Sequence, residues 1–329
     1  MIVSSAPLRV SFNGGGSDLP AYFEHQVGNC LTLTINKNVY VAVNKSFGNH
    51  FRIAYSQIEV VKSIEEIRHP IIRNSLKILG VKDFLEILSI ADVPSNGSGL
   101  GSSSAFTIAL LSSLSRYLGE HYSGNDLAEM ACEVELKMCD EPIGKQDQYA
   151  IAHGGLNHFI FDSEKVAKLE FGLHSNEIKE IIKSLNELAH FYQIDRPRDA
   201  SSILKVQKEK LIPHSEAFQT TTKISELSVQ TRINLLNRNY EAVGLAMSEG
   251  WLLKSQLNGD IDDPEIRRLQ SGIKLSGAYG GKLLGAGQGG FVVILAPKHL
   301  SQSINDIMTP YKRVDFEFSE NEVRTWELK

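Results

Sequence analysis

The chain has 329 residues, of which 42% are hydrophobic and 22% are charged, as expected for a globular protein long enough to form two domains. Its net charge of -5 gives no general attraction to nucleic acid or to an anionic membrane, so any phosphate group must be bound locally. No basic-then-apolar leader opens the chain and no apolar run reaches about 18 residues, which predicts a cytoplasmic protein without a membrane segment. The three cysteines lack metal-ligand and C-x-x-C spacing and are predicted to be free thiols.

The first third of the chain alternates β-rich segments with one helical pattern. Strands rich in Leu, Ile, Val, Thr and Phe are predicted over residues 8–12, 31–43, 52–61 and 84–91. A helix is predicted over residues 70–79, where Ile71, Leu76 and Leu79 share one face. The strands are expected to form a mixed sheet.

Residues 94–105 combine three glycines with a run of three serines and lead directly into an apolar helical run that ends near Leu118. Glycines let the backbone approach an anion closely, and the first turn of a helix offers unpaired N–H groups and its positive dipole end. This pattern predicts a phosphate cradle with the nucleotide-binding residues Ser95, Gly97, Gly99, Leu100, Gly101, Ser102, Ser103 and Ser104. The loop lacks the lysine of a P-loop, and its G-x-G-x-G spacing differs from the dinucleotide fingerprint. An ordinary Gly/Ser linker before a helix is the alternative.

Two carboxylates follow the cradle. A helix is predicted over residues 125–138, with a capping box of Ser123 and Asp126 at its start. At about 100° per residue, Glu135 borders the apolar face of this helix. Asp147 follows in the segment Gly-Lys-Gln-Asp-Gln. One oxygen ligand for Mg²⁺ and one carboxylate near an attacking hydroxyl are groups that phosphoryl transfer uses, although Asp147 could also be a helix N-cap.

Beyond Phe161 the chain changes to longer helical patterns, and two domains, 1–175 and 176–329, are predicted. Helices are predicted over residues 176–191, 201–211, 216–237 and 263–277.

A glycine-rich loop is predicted near the end of the chain between two strands, residues 282–284 and 291–295. Its residues Gly285, Gly287 and Gly290 satisfy the spacing G-x-G-x-x-G. A β-branched run follows the third glycine where a dinucleotide site requires a helix. The segment is therefore predicted to be a loop packed against a ligand and not a Rossmann site.

Three glycine-rich segments, at residues 6–18, 94–105 and 282–291, resemble in kind and order those of the GHMP kinases, the family of galactokinase, homoserine kinase, mevalonate kinase and phosphomevalonate kinase. The resemblance covers nearly the whole chain. It implies a two-domain α+β fold, with an N-terminal domain like domain 2 of ribosomal protein S5 and a ferredoxin-like C-terminal domain. It also implies the cofactors ATP and Mg²⁺, with Ser103 and Glu135 as the ligands of the metal.

The same resemblance assigns catalytic and sugar-binding roles. Asp147 corresponds to the aspartate that is the proposed catalytic base of sugar kinases in this family, and Arg9 corresponds to a basic residue near the base and the nucleophile. Asp18, nine residues after Arg9, corresponds to the aspartate that binds sugar hydroxyls, together with Gly16 and Ser17. From the sequence alone, Arg9 could also be a surface arginine on a strand.

The first motif also bears on the acceptor. Galactokinases carry Gly-Glu-His-Thr-Asp where residues 14–18 read Gly-Gly-Gly-Ser-Asp, so galactose itself is not favoured. This segment and two others, residues 69–73 and 251–254, together most resemble the D-glycero-D-manno-heptose 7-phosphate kinases of the family. Those enzymes phosphorylate the anomeric hydroxyl and give a 1,7-bisphosphate for nucleotide-heptose synthesis, which feeds surface polysaccharide. A small sugar phosphate is thus the expected partner, with the oligomeric state left open.

A second anion site is required if the acceptor already carries a phosphate group. Its candidates are Lys254, Arg198, Arg196 and Lys205, with solvated surface charge as the alternative for each. Residues 196–200 depart from the Thr/Ser-Arg-x-Ala form expected of that region. Three other functions stay open at this point: a kinase for fucose or galactose, a non-catalytic sugar and ATP sensor, and a nucleotide-dependent oxidoreductase.

Overall fold

A computed structural model describes residues 1–94, 97–194, 200–259, 263–285 and 289–328, with the side chains of residues 200–204 excepted. Among these residues, eight strands form one sheet in the order β12-β1-β2-β5-β3-β4, with β6 paired to β2 and β7. The strands are β1 (Ile2–Asn13), β2 (Gly28–Lys45), β3 (Phe51–Ala54), β4 (Ile58–Val61), β5 (Leu85–Ala91), β6 (Leu156–Phe161), β7 (Val166–Leu169) and β12 (Arg324–Glu327). The β3–β5 pair is parallel and the other pairs are antiparallel.

The long strand β2 lies at the centre of this sheet. β1 lies along one edge of β2, and the other edge pairs first with β6 and then with β5. Leu8 and Phe12 of β1 are fully buried in the hydrophobic core. Because side chains alternate between the two faces of a strand, Arg9, Ser11 and Asn13 share the opposite face. That face forms one wall of the site described below.

Helices cover the apolar face of the first sheet. They are α1 (Pro20–Phe23), α2 (Pro70–Ile78), α3 (Ser102–Tyr117), α4 (Gly124–Cys132) and α5 (Gln146–His153). α3 packs on both β1 and β2, and α4 and α5 pack on each other. Leu110, Leu111 and Leu114 of α3 are fully buried, so the helix that follows the glycine-serine loop is anchored in the core.

The second half of the chain forms another sheet. In the described ranges this sheet has four antiparallel strands in the order β11-β8-β10-β9. The strands are β8 (Ala189–Ile194), β9 (Gly280–Leu283), β10 (Gly290–Leu295) and β11 (Lys312–Val314). The helices are α6 (Ser175–Leu188), α7 (Ala200–Lys210), α8 (Glu216–Leu236), α9 (Tyr240–Asn258), α10 (Pro264–Leu275) and α11 (Ser301–Ile307). α8 packs on α9 and on β2, and α9 packs on β9, so these two helices connect the halves of the molecule.

The end of the chain returns to the first sheet. β12 pairs with the first residues of β1, and the ring of Phe318 stacks 5.6 Å from Phe12 and lies 5.4 Å from Phe191 of the second sheet. The hydrophobic core is therefore continuous between the sheets. The division into 1–175 and 176–329 stays a prediction.

Two element predictions need correction. Residues 52–61 form a hairpin of β3 and β4 and not one strand, because the chain turns at Tyr55–Gln57 and pairs back on itself. The helix predicted over residues 176–191 ends at Leu188, and β8 follows at once. The residues of β8 are compatible with a helical pattern, and their pairing with β10, far along the chain, decides the structure.

Three other expectations are borne out in the described chain: the last strand pair, the cap of α10 and the free thiols. The strand pair around the last glycine loop is present as β9 and β10, and Asp263 caps α10 by accepting from the backbone N–H groups of Glu265 and Ile266. The three cysteines carry free thiols. None of the described helices has the length and apolar character needed to cross a membrane.

Candidate active site

Arg9 and Asp147 form an ion pair at the centre of the site, where β1 meets α5. Arg9 Nε and Nη2 donate to Asp147 Oδ1 at 2.8 and 2.6 Å, and Nη2 also donates to Oδ2 at 2.6 Å. Arg9 is buried, whereas the Asp147 side chain keeps 25% of its surface exposed. A carboxylate held by a fixed cation and still open to solvent can accept a hydrogen bond from an approaching hydroxyl group.

The glycine-serine loop lies on one side of this pair. Arg9 Nη1 donates to the carbonyl of Gly99 at 2.7 Å. Gly97, Gly99 and Gly101 have φ angles of 70°, 74° and 77°, a region that glycine adopts without strain. Gly101 is the N-cap of α3, so the first turn of that helix faces the loop. The backbone therefore has the form of an anion cradle.

The serines of the cradle differ in what they contact. The hydroxyls of Ser98 and Ser102 share a hydrogen bond of 2.7 Å. Ser104 is buried and donates to Glu135 Oε2 at 2.8 Å, whereas Ser103 is exposed on the first turn of α3. Of these hydroxyls, that of Ser103 is the one most accessible to a bound ligand.

Glu135 is fully buried, and four side chains donate to its carboxylate. Oε1 accepts from Thr107 at 2.6 Å and from Ser103 at 3.4 Å. Oε2 accepts from Ser104 at 2.8 Å and from Gln148 Nε2. Burial raises the pKa of Glu135, and the hydrogen bonds from Thr107, Ser104 and Gln148 oppose this shift. All four donors are neutral, so no cation of the described chain contacts these oxygens.

A π-helical turn positions Glu135. The helix predicted over residues 125–138 is α-helical only as far as Cys132, and the π-helical turn Glu133–Met138 continues it. The predicted capping box of Ser123 with Asp126 is present. π-helical turns are frequent at functional sites. In this one, the side chain of Glu135 lies in the interior of the protein.

Asp18 connects the loop of the first motif with the segment that carries Asp147. Asp18 Oδ1 accepts from the backbone N–H of Gly16 at 2.8 Å, and Oδ2 accepts from that of Gln146 at 3.1 Å. Asp18 is buried, and desolvation raises its pKa. Gly144 is required beside it because a Cβ there would lie 1.9 Å from Asp18 Oδ2.

Ser17 is fully buried in the same loop. Its hydroxyl donates to the Gly14 carbonyl at 2.8 Å and accepts from the backbone N–H of Asn29 at 3.0 Å. These contacts hold the loop in shape. The assignment of Ser17, Gly16 and Asp18 to sugar binding stays a prediction.

The last glycine loop lies against the cradle. A Cβ on Gly290, whose φ is 100°, would lie 2.4 Å from the Ser98 carbonyl oxygen and 2.7 Å from that of Gly97. On the other side of this loop, Lys254 Nζ of α9 donates to the Gly285 carbonyl at 3.0 Å. All three glycine-rich segments therefore meet at one place.

A cavity lies between Arg9 and the last glycine loop. Its walls include Arg9, Ser11 and Asn13 of β1, Lys254 of α9 and Lys282 of β9. Burial lowers the pKa of Lys282 to about 7, and the charges of Lys254 and Arg9 add to this shift. A cavity with these walls suits a polar, negatively charged ligand.

Family models match both halves of the chain. A model described as the GHMP kinases N terminal domain matches residues 59–155, and one described as GHMP kinases C terminal matches residues 231–308, together just over half of the chain. The chain therefore belongs to the GHMP kinases. Its two sheets and their helices are the two-domain α+β fold of that family, as the sequence predicted.

This kinase is similar along its whole length to the D-glycero-alpha-D-manno-heptose 7-phosphate kinase of Campylobacter jejuni, with 25% identity over 99% of each chain. It is 25% identical to the galactokinase of Pyrococcus furiosus over 76% of this chain and 73% of that protein. A solved D-glycero-D-manno-heptose 1-phosphate kinase from Bacteroides thetaiotaomicron has a TM-score of 0.80 and 22% identity, with both chains fully covered. The Methanococcus jannaschii mevalonate kinase has a TM-score of 0.72 and 16% identity over 97% of this chain and 98% of that one. The two solved structures show the shared fold.

Sequence analysis missed several polar side chains of the kinase site. Thr107 and Gln148 donate to the buried glutamate. Gln148 is the last residue of the Gly-Lys-Gln-Asp-Gln segment but was given no role, and no motif marks Thr107. Ser11 and Asn13 line the cavity, and the period of two along β1 could have found them once Arg9 was a candidate. Lys282 stands at the start of the third motif, where its burial is not visible in the sequence.

The candidates for a second anion site differ in their position relative to the cavity. Lys254 lines the cavity, whereas Lys205 is exposed. Leu100 of the cradle is fully buried and contributes its carbonyl, which accepts from the backbone N–H of Arg9 at 3.0 Å. Residues named from the sequence that lie outside the described ranges are Ser95, Arg196, Arg198 and Gly287.

Proposed function

We propose that this kinase transfers the γ-phosphoryl group of ATP to the anomeric hydroxyl of D-glycero-D-manno-heptose 7-phosphate. The observation that carries the proposal is the Arg9–Asp147 pair, which lies between an anion cradle and a cationic cavity. The full-length similarity to the Campylobacter jejuni heptose 7-phosphate kinase supports the choice of acceptor. The product, a 1,7-bisphosphate, would serve nucleotide-heptose and surface polysaccharide synthesis.

In the proposed reaction, Asp147 accepts a hydrogen bond from the anomeric hydroxyl and takes its proton as the new O–P bond forms. The bond between the γ-phosphorus and the bridging oxygen breaks, and ADP leaves with that electron pair. An anomeric hydroxyl is more acidic than an ordinary alcohol and the transition state is loose, so much of the contribution of Asp147 is positional.

Arg9 supplies a fixed positive charge where negative charge develops. Its hydrogen bonds to Asp147 and to the Gly99 carbonyl hold the guanidinium group between the acceptor and the cradle. Because the group is buried and already oriented, no reorganisation is needed during the reaction. The glycine loop and the first turn of α3 would hold the phosphate groups of ATP through backbone N–H groups.

The oxygen groups of Ser103 and Glu135 fit Mg²⁺. Mg²⁺ prefers oxygen ligands and is usually held by one or two protein groups together with phosphate oxygens and water. Among the described residues, the donors to the two oxygens of Glu135 are all neutral, and the exposed Ser103 hydroxyl lies 3.4 Å from Oε1. When bound, the ion would neutralise charge on the phosphate groups. We propose Ser103 and Glu135 as its ligands.

The proposal includes a cytoplasmic location and small-molecule partners only. Free thiols persist in a reducing compartment, and ATP is consumed there. The net charge of -5 does not favour nucleic acid or an anionic membrane as a partner.

ATP consumption measured over a set of acceptors tests the proposal. The set is heptose 7-phosphate, mannose 6-phosphate, fucose, galactose and mevalonate. We expect the highest kcat/KM with heptose 7-phosphate and a product phosphorylated at C1. Strong turnover of fucose or galactose, with none of heptose 7-phosphate, would show that the acceptor is another sugar and that the protein is still a sugar kinase. Nucleotide binding without turnover of any acceptor would favour a sensor.

A further inference from the structure

The large sheet has an outer face, which is the side opposite to helix α3. On the α3 side, the hydroxyls of Ser4 and Ser112 each share a hydrogen bond of 2.8 Å with that of Thr325. Because side chains alternate along a strand, the next residues on β1 and β12, Val3 and Trp326, lie on the outer face. Such an outer face is usually polar when water covers it.

An unbroken apolar row crosses this outer face. The residues in register across the six strands from β12 to β4 are all apolar. In sheet order they are Trp326, Val3, Ala42, Leu88, Ala54 and Ile58. The side chains of Trp326, Leu88 and Ile58 are 43%, 44% and 63% exposed, and the smaller members of the row are half-buried between them. The described chain therefore leaves the row open.

Further apolar side chains border the row on the same face. Ile90 lies in register with Tyr40 in the row on one side, and Val60 lies in register with Arg52 in the row on the other side. Ile90 and Val60 are both exposed. Single exposed hydrophobic residues are common on soluble proteins, whereas a contiguous patch marks a contact surface.

The size of this patch matches that of a stable protein interface. Six strands about 4.8 Å apart and three rows of residues about 6.6 Å apart cover roughly 29 by 20 Å in projection. The accessible area of a side-chain surface exceeds its projection, which brings the patch near the roughly 800 Å² that each partner buries in a standard interface. The outer face is therefore large enough to hold two proteins together.

The order of side-chain sizes along the row is self-complementary. A two-fold axis that runs along the strands between β2 and β5 places Leu88 of one copy opposite Ala42 of another. Val3 and Ala54 face each other in the same way, and the bulky side chains at the two ends of the row meet. Large side chains thus lie over small ones, as they do where two sheets pack face to face.

The charge of the patch is compatible with a contact between two copies. Arg52 of β3 and Glu86 of β5 lie in register beside each other, so the patch is nearly neutral although the chain carries a net charge of -5. An anionic membrane would require a cluster of cations instead. A second copy of the chain offers the same neutral and apolar surface.

We propose that this outer face is the contact surface of a two-fold dimer of the chain. The partner is another copy of the protein, in addition to the small-molecule partners proposed above, and the inference does not depend on the identity of the acceptor. The cradle precedes α3, on the opposite side of the sheet, so the cradle of each copy stays accessible to ATP. Two-fold dimers are the commonest soluble oligomers.

Sedimentation analysis over a range of concentrations tests the dimer. At about 50 μM, we expect the wild type to have twice the chain mass of 36.5 kDa, and to dissociate on dilution. For Leu88→Lys, the Kd of the dimer should rise by about 10²-fold, because each dimer would bury two unpaired charges. Leu245→Lys, at an exposed position of α9 outside the patch, is the matched control and should keep the wild-type mass.

Chemical cross-linking tests how the two copies face each other. Val3 and Ala54 are three strands apart within one chain, about 14 Å, but lie opposite each other in the proposed dimer. An equimolar mixture of Val3→Cys and Ala54→Cys should therefore be joined by a bis-maleimide about 8 Å long, which fits sheets packed about 10 Å apart. Each variant alone should be joined far less. The wild type, treated in the same way, controls for the three native thiols.

Three results would overturn the inference. One is a wild type that stays a monomer throughout the concentration range. Another is a dimer whose Kd does not change in Leu88→Lys or in Ile58→Lys, which would place the contact on a different surface. The third is a monomer that binds phosphatidylcholine vesicles through this face, which would make it a membrane contact. Melting curves identify a variant that fails to fold, and Ile58→Lys at the edge strand then replaces Leu88→Lys.

Discussion

Arg9 gives the site a charge that the rest of the molecule holds in place. The guanidinium group makes hydrogen bonds to Asp147 and to the Gly99 carbonyl, so one buried side chain joins α5 to the cradle. Glu135 shows the opposite arrangement, a negative charge buried among neutral donors. At the scale of single residues, the site therefore combines an ion pair with a buried carboxylate that neutral donors hold in place.

Asp147→Asn should lower turnover by at least about 10²-fold and leave the Kd for ATP nearly unchanged, because the amide can orient the hydroxyl but cannot take its proton. Steady-state kinetics and calorimetric titration with ATP measure the two effects. Asp83→Asn, which removes an exposed carboxylate paired with Lys45, is the control and should behave as the wild type. Near-normal turnover of Asp147→Asn would remove this residue from the mechanism.

Lys282→Met should change how stability depends on pH. The pKa of Lys282 is lowered from 10.5 to about 7 in the folded protein, so the unfolded chain binds more protons between these values. The contribution of Lys282 therefore makes the free energy of unfolding rise with pH over this window, with a slope that approaches about 1.4 kcal/mol per pH unit. The stability gained by Lys282→Met should be largest near pH 6 and should shrink toward pH 9.

Urea unfolding of the wild type and of Lys282→Met at several pH values measures this difference. Lys274→Met, at an exposed position, should give a curve parallel to that of the wild type. A parallel curve for Lys282→Met would mean that the folded protein does not depress the pKa of this lysine.

Glycine-rich loops set the geometry at the scale of elements. The cradle precedes α3 and the last loop joins β9 to β10, yet these two loops meet at Gly290 without a side chain between their backbones. Such contacts require the absence of a Cβ. The loops thereby fix the position of the first turn of α3 relative to the cavity.

Gly290→Ala should separate the last loop from the cradle. The added Cβ would lie 2.4 Å from the Ser98 carbonyl oxygen, and the backbone φ of 100° strains any L side chain. We expect a stability loss of about 1–3 kcal/mol and a Kd for ATP that rises about tenfold, because the cradle must shift. Gly172→Ala, at a φ of 69° with open space around the Cβ, is the matched control. Equal ATP affinity in both variants would contradict the contact between the loops.

A continuous hydrophobic core connects the two sheets at the scale of the whole molecule. The aromatic side chains of Phe12, Phe191 and Phe318 meet where the sheets approach each other, and β12 returns to pair with β1. The cavity beside Arg9 lies between elements of both halves, since β1, α9 and β9 contribute its walls. The site therefore depends on the halves being held together.

Phe318→Ala should destabilise both sheets together, by about 3–5 kcal/mol, because it removes a buried ring from the shared core. Calorimetry and the fluorescence of the two tryptophans measure the transition, which should stay single and move to lower temperature. Phe47→Ala, at a fully exposed position, should leave the transition unchanged. Independent unfolding of the two halves in the wild type would contradict a shared core.

Local patterns predicted many elements correctly. The capping box of Ser123 with Asp126, the N-cap Asp263 and the strands on both sides of the last glycine loop depend on residues close in the chain. The predicted end of the helix over residues 176–191 was wrong, because pairing of β8 with the distant strand β10 overrides a local periodicity. The single strand predicted over residues 52–61 was wrong because the chain turns after β3 and pairs back on itself.

The amino-acid sequence by itself indicated the glycine segments and the inward carboxylate of Glu135, because motif spacing and helical period are local properties. Arg9 and Asp147 were indicated by the resemblance to the GHMP kinases. Only the tertiary structure decided that the Lys282 ammonium is buried beside Lys254. The reason is physical: burial and the summed field of neighbouring charges depend on elements that are distant in the chain and adjacent in space.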